Sequence, residues 1–179
     1  AGRDPLRAYL LSHDQQGIDL SFGWEGLGEM QSTLNIFWNV FRFPLPYMKL
    51  DGFDPGRADI SSVDLEIIDR WVLSRLQSTK ANVRDAWDEY EIQDALTAVL
   101  EFITEDVSRF YIKAIRERMW EEEDSRSKQA AYTTLTVVLE ETIRLIAPIT
   151  PYIAESMYQH LLSDAKTVHA LSYPTPERS

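Results

Sequence analysis

Leu65, Ile68, Val72, Leu76, Val83, Trp87 and Tyr90 recur at steps of three, four and seven residues, a period that belongs to one face of an α-helix and not to a strand. The pattern returns three more times: in Met30, Leu34, Phe37, Val40 and Phe41; from Ile92 through Leu96, Val99, Leu100, Ile103, Val107 and Phe110; and in Ala131, Leu135, Val138, Leu139, Ile143 and Ile146. Short polar or proline-containing connections separate these stretches, so successive helices turn back on one another. The expected fold is all-α, an antiparallel helical bundle. A chain of 179 residues with 44% apolar content can bury one real core.

The boundaries follow from capping residues and breakers. Asp4-Pro5 reads as an N-cap followed by proline at the first helical position, predicting a short helix through Leu11. Gln15 to Asp19 make a polar turn, and the alternation over Ile18 to Phe22 suggests a short extended piece. The helix from Trp24 ends at Phe43, before Pro44 and Pro46. Residues 44 to 60, rich in Pro and Gly, read as a linker, and Ser61 or Ser62 as the cap of a helix from Asp64. Ser125 or Ser127 opens the next helix after the acidic run Glu121 to Asp124. Thr150-Pro151 restarts the chain for a last helix carrying Ile153, Met157, Tyr158, Leu161 and Leu162, and residues 167 to 179 look extended or loose.

Several functions are removed by what the chain contains. With no cysteine there is neither a disulfide framework nor a thiolate site, which fits a reducing, intracellular compartment. No apolar run approaches the roughly 20 residues of a membrane span. The histidines are His13, His160 and His169, none with a Glu three residues before it, so a bundle di-iron site is not expected. A nucleophile elbow and a glycine-rich phosphate loop are both lacking. No catalytic residue and no metal ligand is assigned.

Two polar stripes stand out instead. At about 100° per residue, Arg109, Lys113, Arg116 and Trp120 share a stripe roughly 60° wide, while Ile112, Ile115 and Met119 lie elsewhere. In a protein of net charge -11, such a stripe suits phosphates and an unstacked base. It also suits a solvated helix face with Trp120 as a core anchor. On the Trp24 helix, Gln31, Asn35, Asn39 and Arg42 lie opposite the apolar face, with Trp38 at its margin. Amides and a guanidinium match base edges, but an interhelical polar contact would use them equally well. The acidic balance, 29 Asp and Glu against 18 Lys and Arg, argues against nonspecific polyanion binding and leaves room for one directed groove.

Six blocks taken together resemble a known family. Leu6-Arg-Ala-Tyr-Leu-Leu-Ser12, Asp19-Leu-Ser-Phe22, Leu34-Asn-Ile-Phe-Trp-Asn-Val-Phe-Arg-Phe43, Asp69-Arg-Trp-Val-Leu-Ser-Arg75, Phe110-Tyr-Ile-Lys-Ala-Ile-Arg-Glu-Arg-Met-Trp120 and Leu145-Ile-Ala-Pro-Ile-Thr-Pro-Tyr152 are similar to the C-terminal part of class I isoleucyl-tRNA synthetases. Tyr47-Met-Lys-Leu-Asp-Gly-Phe-Asp-Pro55 tilts the resemblance to the archaeal type. Valyl, leucyl and methionyl enzymes are the near alternatives, and a helical protein-interaction module is the reading from another class.

The resemblance implies an α-helical anticodon-binding domain over residues 24–163. Residues 1–23 would be the end of the segment joining it to a catalytic domain, and 164–179 an extended tail. It implies an isoleucine tRNA anticodon stem-loop as partner, a catalytic domain of the same polypeptide that uses ATP and Mg, a cytoplasmic location and a monomer. The family's His-x-Gly-His and Lys-Met-Ser-Lys-Ser motifs are missing, so the chain should not activate an amino acid by itself. Carried over by motif, Asn35, Trp38, Asn39, Arg42, Arg116 and Trp120 would face the anticodon loop, with Arg109 and Lys113 on stem phosphates.

Overall fold

A computed structural model describes residues 2–13, 22–121, 125–162 and 167–176. The expected polar turn and most of the expected extended piece before Trp24 fall outside them. The elements are α1 (Arg3–Leu11), α2 (Trp24–Arg42), α3 (Leu45–Leu50), α4 (Ile67–Asp88), α5 (Ile92–Glu101) running through a π-helical segment (Phe102–Tyr111) into α6 (Ile112–Trp120), then α7 (Arg126–Ile146) and α8 (Pro151–Leu161). Among the described residues there is no strand, and the antiparallel bundle stands as expected.

The apolar stripes are the core. Leu34, Phe37, Val40 and Phe41 of α2, Val72, Leu76 and Val83 of α4, and Leu135, Val138, Leu139, Ile143 and Ile146 of α7 are all buried in one cluster. Leu65 and Tyr90 leave the expected α4 stripe. Leu65 precedes the helix, and Tyr90 is exposed at φ 62° in the turn to α5.

The π segment has a sequence cause. Val99, Ile103, Val107, Tyr111, Ile115 and Met119 are all buried and spaced by four. In a straight α-helix each four-residue step drifts about 40° around the axis, so five steps would carry the last residue to the opposite side. A π turn takes roughly 4.4 residues and drifts the other way, which returns the column to the core.

Three boundaries and one cap differ from expectation. Helix α4 starts at Ile67 rather than Asp64, because Glu66 and Asp69 form a reciprocal capping box and Ser61 and Ser62 belong to a preceding 3-10 turn. The linker contains α3, for Pro44 and Pro46 sit where proline starts a helix. Met48 of α3 is buried, and Asp51 just beyond it meets Lys128 Nζ at 2.6 Å and the Tyr132 hydroxyl at 2.5 Å. Asp4 does not cap α1. It lies in the first turn of that helix, buried, and its Oδ2 accepts the backbone N–H of Ile153 at 2.6 Å. Asp4 thus caps α8 from another element, whereas Thr150, at the N-cap position of α8, makes no capping bond.

The described tail begins with a 3-10 turn (Val168–Ala170) that the expected extended tail did not include, and it is fastened to the bundle. Tyr173 Oη accepts from Trp87 Nε1 and donates to the Leu145 carbonyl, both at 2.9 Å, and Arg144 donates to the Ser172 carbonyl. At the other end of the sequence, α1 packs on α2 through Tyr9. Its hydroxyl accepts from Gly23 N at 2.8 Å, and a Cβ on Gly26 would meet its ring at 2.7 Å. No described helix is long and apolar enough to cross a membrane.

Candidate nucleic-acid interface

The C-terminal ends of α2 and α6 and the N-terminal ends of α4 and α7 lie at one end of the bundle. Phe43, which closes α2, lies under the Arg116 guanidinium of α6, 5.7 Å from ring centroid to Cζ. The same guanidinium is 5.6 Å from the Trp120 ring. Arg116 therefore sits between two aromatic rings from two helices, and it is this contact that joins the two stripes. A cation over aromatic faces is held without a carboxylate partner and keeps its donors available.

The expected site residues divide into groups. Asn35, Asn39 and Arg42 are exposed on α2, and Lys113, Arg116 and Trp120 on α6. Trp120 is 54% exposed and does not belong to the core cluster, and no described hydrogen bond ties Asn35 or Asn39 to another helix. Trp38 is half-buried, packed on Phe41 and edge-on to His160 of α8 at 6.3 Å. Its larger part is thus structural. Arg109 pairs with Glu105 at 2.5 Å and lines a groove with Thr33 and Ile36, so its charge is partly cancelled. The structure brings Phe43, Arg116 and Trp120 together at the helix ends, with Arg42 exposed in the last turn of α2, and leaves Arg109 further back on the π segment.

Beneath the surface lies a buried ionic network. Arg118 donates from Nη1 and Nη2 to the two Asp69 carboxylate oxygens at 3.0 and 2.9 Å, and also to the Ser127 carbonyl at 2.6 Å. Tyr111 donates to Asp69 Oδ1 at 2.7 Å, and Ser127 Oγ to Glu66 at 2.6 Å. Burial, and then the Asp69 charge, push the Tyr111 phenol well above its ordinary range. Burial works to lower the Arg118 guanidinium, but the Asp69 bonds outweigh it and raise it. Four elements are thereby tied at the position flanked by Arg116 and Trp120. Sequence reading missed Arg118, which looks like any other cation in a charged run.

Fold and surface define a helical bundle with a cationic, aromatic end in an otherwise acidic chain. The family model described as the anticodon-binding domain of tRNA ligase matches residues 69–179, and the chain belongs to that family. Among curated relatives, the isoleucine–tRNA ligase of Haloquadratum walsbyi is 73% identical over 98% of this chain and 16% of its own length. That of Haloarcula marismortui is 55% identical over 97% and 16%, and that of Methanocella arvoryzae 45% over 99% and 17%. The chain spans about a sixth of the length of these relatives. Among solved structures, a leucyl enzyme (LeuRS, agnB2) of Agrobacterium radiobacter K84, in a ternary complex with tRNA and LeuAMS, superposes with TM-score 0.72. The match covers 97% of this chain and 19% of that one, and at 19% identity it speaks for the fold alone.

Proposed function

We propose that this chain is the anticodon-recognising domain of an isoleucine–tRNA ligase and that it binds the anticodon stem-loop of isoleucine tRNA at the α2 and α6 ends. The observation that carries the reading is Arg116 lying between Phe43 and Trp120, which joins the ends of α2 and α6. RNA loops are read by laying unstacked bases on aromatic or guanidinium planes and bonding their edges. Trp120 and Arg116 offer the planes, and Asn35, Asn39 and Arg42 the edge donors and acceptors. Trp38 supports the α2 strip from behind, Lys113 takes phosphate, and Arg109 gives a weaker, Glu105-screened contribution.

Residues 24–163 form the recognising body in this reading, with 1–23 leading in from the catalytic domain and 164–179 a tail. The parent would be a cytoplasmic monomer using ATP and Mg. In this reading both cofactors are assigned to the catalytic domain of that parent.

Titrating the chain with a hairpin carrying the isoleucine anticodon, and with one carrying a valine anticodon, tests the proposal. Preferential, salt-dependent binding of the first supports it. Equal binding of both removes the isoleucine assignment, and no salt-dependent binding of either leaves the protein-interaction reading. An amino-acid-dependent pyrophosphate exchange assay on the chain alone should show no activity.

A further inference from the structure

Most cations of this chain already have polar partners. Among the described residues, Arg42, Lys49, Lys113, Arg116 and Arg126 are those whose side chains make neither an ion pair nor a hydrogen bond. Three of them, Arg42, Lys113 and Arg116, are on the surface assigned above. Arg126 lines a groove with Ser61, Ser62 and Asp64 at the start of α7. Lys49, on α3, has no role in that assignment.

Lys49 is free although a carboxylate stands two residues away. Asp51 is taken by Lys128, at 2.6 Å, and by the Tyr132 hydroxyl. The backbone that carries Lys49 is also fixed on both sides. Met48 is buried in the core and its carbonyl accepts Phe53 N at 2.9 Å, while Asp51 is held on α7. Phe43, the ring under Arg116, packs on Tyr47 of α3 at 5.7 Å, so α3 continues the aromatic floor of the α2 and α6 ends. Next to Lys49, Leu50 is 83% exposed. An ordered segment with an unpaired ammonium beside an exposed apolar residue suits a nucleic-acid strand, which alternates charged phosphate with apolar ribose and base faces.

Resting on the RNA reading above, we infer that the RNA-binding surface extends across α3, where Lys49 holds a backbone phosphate of the strand leaving the loop. An ammonium on a flexible stem is a point charge suited to phosphate and not to reading base edges. Lys49 therefore contributes affinity and salt dependence but no sequence preference.

The test is a salt series on the full chain with the isoleucine-anticodon hairpin, comparing wild type with Lys49→Ala, Lys49→Gln, Arg116→Ala and, as a control cation paired elsewhere, Arg84→Ala. Thermal melting confirms that each variant folds. Both Lys49 variants are expected to weaken binding several-fold at low salt and to lower the slope of log affinity on log salt by about one. The preference over the valine-anticodon hairpin should stay unchanged, and Arg84→Ala should match wild type. A normal slope in the Lys49 variants beside a weakened Arg116→Ala overturns the extension over α3 and leaves the RNA reading intact. If Arg116→Ala also behaves as wild type, the RNA reading itself falls. A changed anticodon preference in the Lys49 variants overturns the phosphate assignment.

Discussion

The Arg118 guanidinium, on the last turn of α6, grips the Asp69 carboxylate in the first turn of α4 through two bonds of 3.0 and 2.9 Å, and Asp69 is wholly buried. A buried pair of this kind gains little net stability, because desolvating two charges offsets most of their attraction. What it does provide is a single geometry. Arg118 lies two residues from both Arg116 and Trp120, so the pair fixes how the end of α6 presents them.

Removing one partner should be far worse than removing the network. Arg118→Met strands the Asp69 charge and is expected to cost about 3–5 kcal/mol. The triple replacement Asp69→Leu, Tyr111→Phe, Arg118→Met leaves no orphaned polar group among those side chains, although Glu66 N–H loses its capping-box acceptor, and should recover part of that loss, about 1 kcal/mol short for the cap. Urea denaturation of both variants decides it. A triple variant no more stable than Arg118→Met would mean that the network itself supplies the stability.

Base recognition should be separable from charge. Asn39→Ala is expected to reduce the preference for the isoleucine anticodon by about 1–3 kcal/mol, the range of a lost bidentate base contact, with the salt slope little changed. Trp120→Ala should weaken all hairpins alike by about 1–3 kcal/mol, since stacking tolerates any base. Fluorescence titration against single-base anticodon variants resolves the two. An Asn39→Ala variant with wild-type discrimination would remove the α2 strip from the site.

The start of α8 offers a contrast between two candidate caps. Asp4→Ala should destabilise the fold by about 1–3 kcal/mol, because Ile153 N–H loses a charged acceptor in a part-buried setting. Thr150→Val should be near neutral or slightly stabilising, because the Thr150 hydroxyl is buried without a described partner. Thermal melting of the two variants is enough, and the reverse order of effects would restore Thr150 as the cap.

The helices were legible because burial and periodicity coincide: a stripe such as Val72, Leu76 and Val83 has one arrangement that hides it. The exposed stripes of α2 and α6 were legible for the same reason, as the complement of those faces. Harder features depended on partners far along the chain. Arg118 acquires its role from Asp69, 49 positions earlier, and Asp4 acquires its from Ile153, 149 positions later. Helix α3 was hidden because Pro44 and Pro46 break helices and also begin them. The π segment did leave a trace, in the strict spacing of four from Val99 to Met119, but a search for the 3.6 period absorbs it.

The tail clasp gives an alkaline signature. Tyr173 is pushed up to about 12 by burial, from an ordinary value of 10.0, against the opposing effect of the hydrogen bond it accepts from Trp87. With the folded value raised, the stabilisation belongs to the neutral phenol. It is fully present below pH 10, is lost as the pH rises towards about 12, and amounts to at most about 2 kcal/mol after discounting for partial exposure. Tyr173→Phe cannot ionise, so its stability should fall less steeply than wild type over that window. Below pH 10 the variant should be weaker by about 1 kcal/mol for the two lost hydrogen bonds. Denaturant midpoints measured from pH 8 to 12 would show the two curves converging. Parallel curves would mean that the phenol is solvated and that the tail is not clasped in solution.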